Sequence, residues 1–378
     1  MNDTPRVLTQ INWQRQLGGG EIYTRFFTQA VQSLGWEVQI IVDGKAGFWQ
    51  DLGLEGVKFI PIRHGSELPD VLPSSPSLII SHMILSPEMA HDIARRHRLG
   101  GIVHMPLQER RPGGLVEYHA IFSVSQHVRS TALAHGLNHI HDEPLLGVAD
   151  LQPRMPTSGS IVRRSEFDWD RRKGRDRILS WLEPLFDPLR PHPAFARRPG
   201  LTLGIVSRLT PIKQFPTLFS RLAPVLADIP EVHLEIFGSG GYGSVRDLKQ
   251  ALAPIRQRVR FWGHQPNPAA IYPHFDYVLS GLPEKEALGL NLIEAQACGT
   301  PVLAVAAPPF LETVVDGASG FLYTDPRQDE GASFAALLHR LVAGQPRPDP
   351  RLAHEHLAQF SVAAFRERVA RAMSTLTS

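Results

Sequence analysis

Short apolar runs recur along the chain, separated by stretches with a helical period. In the N-terminal part they fall at Arg6–Ile11, Glu37–Val42, Val57–Ile60, Leu78–Ser81, Ile102–Met105 and Ala120–Val124. After the first run, Ile22, Phe26, Phe27, Ala30, Val31 and Leu34 fall on one face of a predicted helix. The alternation stops over residues 151–199 and resumes at Leu201. Further strand patterns follow at Val232–Phe237, Val259–Gly263, Phe275–Ser280 and just after Pro301. A last helical pattern spans Phe360–Leu376, with Phe365, Val369 and Met373 on one face. Strands alternating with helices predict parallel, doubly wound α/β sheets. The break in the middle predicts two of them.

Composition narrows the class. The chain has 378 residues, 43% hydrophobic and 20% charged, which suits two or three globular domains. Lys+Arg 39 against Asp+Glu 37 leaves no global field for a polyanion, so no nucleic-acid partner is expected. The single cysteine, Cys298, permits no intramolecular disulfide and fits a reducing compartment. The N-terminus lacks a basic n-region and an apolar h-region, and no run reaches the ~20 apolar residues of a membrane span. A soluble, cytoplasmic protein is expected. The charge is uneven: residues 154–198 hold 11 Lys+Arg and 6 Asp+Glu. That basic, aromatic segment reads either as a solvated loop and hinge or as a surface for an anionic acceptor or lipid headgroups, a peripheral membrane contact. No metal site is expected. The 17 histidines form no H-E-x-x-H or Cys/His cluster, and the one D-x-D, Asp168-Trp-Asp170, does not follow a strand.

Candidate chemistry concentrates at Glu286–Val305, EALGLNLIEAQACGTPVLAV. The run reads as loop, helix, stop and strand, with Gly299 and Pro301 closing the helix. A helix starting near Gly289 would leave the N–H groups of Gly289, Leu290 and Asn291 without intrahelical partners, which makes an anion site. Glu286 and Glu294 would flank it and accept hydrogen bonds from hydroxyls. A phosphate beside a polyhydroxylated group describes a nucleotide sugar.

These residues resemble the Glu-x7-Glu motif of retaining GT-B glycosyltransferases of group 1, the family 4 type. Ala287, Leu288 and Gln296 depart from its usual Gly, Phe and Met. Arg208 and Lys213 in LTLGIVSRLTPIKQF resemble the two cations of that family's Gly-Arg-Leu-x-x-x-Lys-Gly motif, with Ser207 and Gln214 in place of its glycines. Gly18, Gly19 and Glu21 resemble its Gly-Gly-x-Glu loop. Val259–His264 resembles the strand whose trailing backbone, at Gly263, contacts the base. His104 matches the histidine that faces the transferred sugar, and His82 stands at a similar strand end. Glu312 and Gly317 match the run beyond the donor-sugar loop.

The resemblance implies a GT-B fold of two Rossmann-like domains facing across a cleft. The expected segments are an acceptor domain at 1–150, a basic insertion and linker at 151–199, a nucleotide-sugar domain at 200–358 and a C-terminal helix at 359–378 crossing back to the first domain. It implies metal-independent transfer of a glycosyl unit, with retention, to a carbohydrate, lipid-linked or other hydroxyl acceptor. No cofactor is expected beyond the nucleotide-diphosphate sugar as donor. His104, Arg208, Lys213 and Glu286 are the catalytic candidates. Gly18, Gly19, Gly263, Gly289, Leu290, Asn291 and Glu294 are the donor-binding ones. Cell-envelope or other glycan biosynthesis is the expected setting. A nucleotide-sugar epimerase or hydrolase on the same fold, and a non-catalytic nucleotide-sugar-binding partner, are the alternatives.

Overall fold

The computed structural model describes residues 6–15, 17–108, 111–149, 161–169, 178, 181 and 193–377. The chain divides into two compact units, residues 1–149 with 358–378, and residues 150–357. Most of the basic segment, including Asp170 of the D-x-D, lies outside the described residues.

The first unit is built on six parallel strands: β1 (Val7–Ile11), β2 (Glu37–Asp43), β3 (Lys58–Ile62), β4 (Leu78–Ser81), β5 (Arg98–Val103) and β6 (Ala120–Ser123). Their order is β3-β2-β1-β4-β5-β6. The second unit repeats the plan with β7 (Leu201–Val206), β8 (Val232–Phe237), β9 (Val259–Gly263), β10 (Tyr277–Leu279), β11 (Val302–Val305) and β12 (Gly320–Tyr323). Its order, β12-β11-β10-β7-β8-β9, again sets the unit's first strand beside its fourth. Winding therefore reverses between β1 and β4 in one sheet and between β7 and β10 in the other. Ligands of such sheets bind outside the strand ends at that reversal.

Three elements differ from the sequence reading. The strand expected at Ile102–Met105 begins at Arg98 and ends at Val103. Its Gly100-Gly101 pair hides it, because glycine is a poor strand former. A Cβ on Gly101 would lie 2.3 Å from the Tyr118 ring, and one on Gly100 3.0 Å from Leu376 of the C-terminal helix. β12 carries no pattern that the sequence reading recognised. The helix Gly19–Ser33 buries Glu21, Tyr23, Thr24, Phe27, Thr28, Ala30 and Val31, while Leu34 is exposed. The buried face is turned toward polar residues because each is satisfied there: Tyr23 Oη donates to Leu145 O and Thr28 Oγ1 to Thr24 O.

The C-terminal helix Val362–Thr377 packs on the first unit, with Phe365 edge-on to Tyr23 and Arg371 paired to Glu143. In the second unit Glu235 interrupts the apolar run of β8. Its buried carboxylate accepts from Trp262 Nε1, Arg260 and Arg198, so it is a structural charge held by neighbours.

Candidate active site

β7 and β10 are hydrogen-bonded neighbours, so the loops leaving their C-terminal ends start side by side. The loop after β7 makes a tight turn over Pro211–Lys213 and passes through a left-handed Gln214 before the helix Phe215–Ala227. The loop after β10 approaches this turn very closely: a Cβ on Gly281 would stand 2.4 Å from Lys213 O. Only glycine allows that contact. The approach carries Glu286 to Lys213, and the two side chains form an ion pair. Both are mostly shielded, with 22% and 15% of the side chain exposed.

Gly289 follows, with φ +83° and ψ +48°, and starts the helix Leu290–Ala297. A Cβ there would meet the Phe310 ring at 3.1 Å. No side chain caps this start, so the first N–H groups, at Leu290 and Asn291, face outward from the helix end. Glu294 stands one turn in. Tyr272 Oη donates to its Oε2 at 2.8 Å. Burial raises the Glu294 pKa, while Tyr272 and the Lys213 charge pull it down. Lys213 thus acts on both carboxylates of the Glu-x7-Glu pair. Arg208 lies just past β7, exposed, with no ion-pair partner among the described residues. The turn, the ion pair, Gly289 and Glu294 form one group. Arg208 sits at the same strand end.

Tyr272 was missed by sequence reasoning. It lies in the turn before β10, where no motif marks it. Gln296, which departs from the family's methionine, is fully buried, and its amide donates to Leu292 O and Thr313 O. It ties the helix to the segment Phe310–Thr313. Cys298 is buried and its thiol is pushed up to about 12, chiefly by burial, which leaves it inert as a nucleophile.

Gly263 has a structural reason to be glycine. Its φ is +68°, and a Cβ would lie 2.3 Å from Ser165 O. Residues 161–168 run across this end of the sheet, with Arg164 N donating to Trp262 O and Asp168 N to Gly240 O. The close approach at Gly263 is thus to the chain itself.

His104, Gly18 and Gly19 belong to the other unit. Gly18 is the N-cap of the helix Gly19–Ser33 and accepts at its carbonyl from Ile22 N. His104 follows β5, its ring stacked on His82 and edge-on to Tyr23. Its Nε2 is 3.0 Å from His82 Nδ1, and His82 Nε2 is 2.9 Å from Gln10 Oε1. Burial lowers the His104 pKa to about 4. Among the described residues no three His, Cys, Asp or Glu side chains stand close enough to hold a metal ion.

The family model described as "Glycosyl transferases group 1" matches residues 200–343. That part of the chain is similar to this family. The match holds all of β7–β12, the Lys213–Glu286 pair and both carboxylates of the Glu-x7-Glu motif. The D-inositol 3-phosphate glycosyltransferases of Mycolicibacterium gilvum and Mycobacterium leprae are similar to this chain. They are 34% identical over 165 residues and 36% identical over 171 residues. Those matches cover 42% and 43% of this chain, and the chain spans only 36% and 39% of the relatives' length.

Solved structures match nearly end to end. Anabaena HepE in complex with UDP superposes with a TM-score of 0.68 at 18% identity, over 98% of this chain and 100% of that one. Sucrose-phosphate synthase from Thermosynechococcus elongatus gives 0.69 at 17% identity, over 98% and 99%. The fold is GT-B, two Rossmann-like α/β domains. No helix among the described residues is long and apolar enough to cross a membrane.

Proposed function

We propose that this chain is a retaining, metal-independent glycosyltransferase that moves a sugar from a nucleotide-diphosphate sugar to an acceptor hydroxyl. The observation that carries this reading is the Lys213–Glu286 ion pair beside Glu294, set at the β7/β10 reversal next to an uncapped helix start. In the proposed reaction the bond from the anomeric carbon to the diphosphate oxygen breaks, and negative charge builds on the diphosphate. Lys213, Arg208 and the N–H groups at Gly289–Asn291 stabilise that charge as it forms. Glu286 holds sugar hydroxyls and so keeps Lys213 oriented, and Glu294, fixed by Tyr272, takes the ribose. The acceptor oxygen bonds to the anomeric carbon on the face the diphosphate leaves, and its proton passes to the departing diphosphate oxygen. His104 orients the sugar.

The acceptor is of polyhydroxylated class, in keeping with the relatives named for D-inositol 3-phosphate. Glycan biosynthesis at the cell envelope is the proposed setting. The test is a thermal-shift series with UDP, GDP and ADP. A diphosphate that binds the folded chain raises its melting temperature by mass action, by an amount that grows with concentration. No shift with any of them, in wild-type protein and at millimolar ligand, sinks the proposal. Incubation with donor alone follows: rapid sugar release or epimer formation without acceptor would replace transfer with hydrolysis or epimerisation.

A further inference from the structure

The polar network behind His104 has a direction. Gln10 in β1, His82 just past β4 and His104 just past β5 stand at the ends of three neighbouring strands. Thr28 Oγ1 gives its hydrogen to Thr24 O at 2.8 Å. Its oxygen is then left to accept from Gln10 Nε2, at 2.9 Å. This sets the amide, so Gln10 Oε1 faces His82 and accepts from its Nε2–H at 2.9 Å. A neutral ring protonated at Nε2 has a bare Nδ1. That Nδ1 accepts from His104 Nε2–H at 3.0 Å. Thr24 Oγ1, 3.2 Å from the same nitrogen, accepts from Asn12 Nδ2 and donates to Gly20 O. The series ends at His104 Nδ1, which carries a lone pair and has no hydrogen-bond partner among the described residues.

Both rings are neutral near pH 7. Burial holds His82 well below its ordinary value, with His104 as a smaller cause, and burial alone lowers His104. Each polar residue in the series is one that apolar packing would not select, since Gln10 and Thr28 lie wholly inside the unit.

We propose that Gln10 and His82 are positioning residues that hold His104 in its Nε2–H tautomer, so that His104 Nδ1 accepts a hydrogen bond from a substrate hydroxyl. The substrate half of this inference rests on the transferase reading above. The tautomer half does not, and the experiment separates them.

The ring nitrogens of ligand-free protein are read by 15N NMR at pH 7.5. The expected spectrum shows His104 with a protonated Nε2 and a lone-pair Nδ1. His82→Phe keeps a ring against Phe27, 5.6 Å away in the native pair, but removes the acceptor. It should give a mixture of His104 tautomers. His82→Asn returns an amide oxygen close to the lost Nδ1 and should restore the native pattern. Gln10→Leu is a second route to the same mixture if His82→Phe fails to fold. A protonated Nδ1 in wild-type protein, or a pattern unmoved by both His82→Phe and Gln10→Leu, overturns the relay. In the transfer assay His82→Phe should lower kcat/KM for the donor about tenfold, the effect of one lost hydrogen bond, with His82→Asn close to wild type. Equal activity of His82→Phe and wild type overturns the substrate half. So does the absence of any transfer by wild-type protein, in which case the spectrum alone judges the relay.

Discussion

The two sheets share a strand order, yet their reversal points hold opposite kinds of chemistry. At β7/β10 the strand ends present charges: Lys213, Glu286, Glu294 and Arg208, which has no ion-pair partner among the described residues. At β1/β4 neutral groups predominate, Gln10, Asn12, Thr24, His82 and, one strand further, His104, with Glu21 the acidic residue buried in the first turn of the helix after β1. One topology thus offers two crevices with different affinities. Fixed charges suit a ligand whose own charge grows during reaction. Neutral donors and acceptors of set direction suit hydroxyls, which gain little from a nearby full charge but are rejected when a partner is missing. Topology says where a ligand sits, and the loops say what it is.

The sharpest way to break this contrast is to discharge the ionic crevice. Lys213→Ala and Glu286→Gln should each lower kcat for transfer by about 10²–10³-fold, the scale of losing one group that stabilises transition-state charge. Near-native turnover by either variant would remove the ion pair from the mechanism. Lys213→Ala should also abolish most of the thermal shift produced by a nucleotide diphosphate, whereas Thr24→Val in the neutral crevice should leave that shift intact.

A second measurement addresses the neutral crevice through pH. His104 titrates at about 4 in the folded chain against 6.5 for an ordinary histidine, and His82 is shifted in the same direction. Between those two values the unfolded chain binds more protons than the folded one, so acid favours unfolding. The stability due to a neutral His104 is complete above pH 6.5 and falls as pH drops toward 4, by up to about 3 kcal/mol. Urea unfolding at pH 7.5 and pH 4.5 should show a smaller loss for a His82→Asn/His104→Gln double variant than for wild type. Equal losses would mean that the two rings are not held neutral by the fold.

Much of the ionic crevice was legible in the sequence because its parts lie in short contiguous motifs. Glu286, Gly289 and Glu294 share one loop and helix, and Lys213 follows a strand that any period-2 reading finds. What joins the two stretches was not legible. The contact of Gly281 with Lys213 O depends on which strands become neighbours, and Gly281 carries no local mark. Tyr272 was invisible for the same reason. The neutral crevice was harder still, since Gln10 contributes nothing but a polar residue inside an apolar strand. That break in pattern was the available signal. Gly263, singled out for a backbone contact with a base, has a further reason to be glycine that no sequence pattern showed, the approach of Ser165 O.

The smallest expected effect compares two buried glutamines, one behind each crevice. Gln10 uses both ends of its amide, donating to Thr28 and accepting from His82. Gln296 uses only its nitrogen, and its Oε1 is buried with no partner among the described residues. Replacing each by methionine keeps the side-chain length and removes the amide. Gln10→Met strips His82 of its acceptor and leaves a buried N–H unsatisfied, which should cost about 1–3 kcal/mol. Gln296→Met leaves little behind. Leu292 O keeps its helical partner, Thr313 O still faces His356 Nε2 at 3.1 Å, and the orphaned oxygen is gone. Its unfolding free energy should stay within about 1 kcal/mol of wild type, on either side. If Gln296→Met proves the more damaging of the two in urea unfolding, then the tie from the Glu294 helix to Thr313 matters more to the fold than the relay behind His104, and the contrast between the crevices is drawn at the wrong residues.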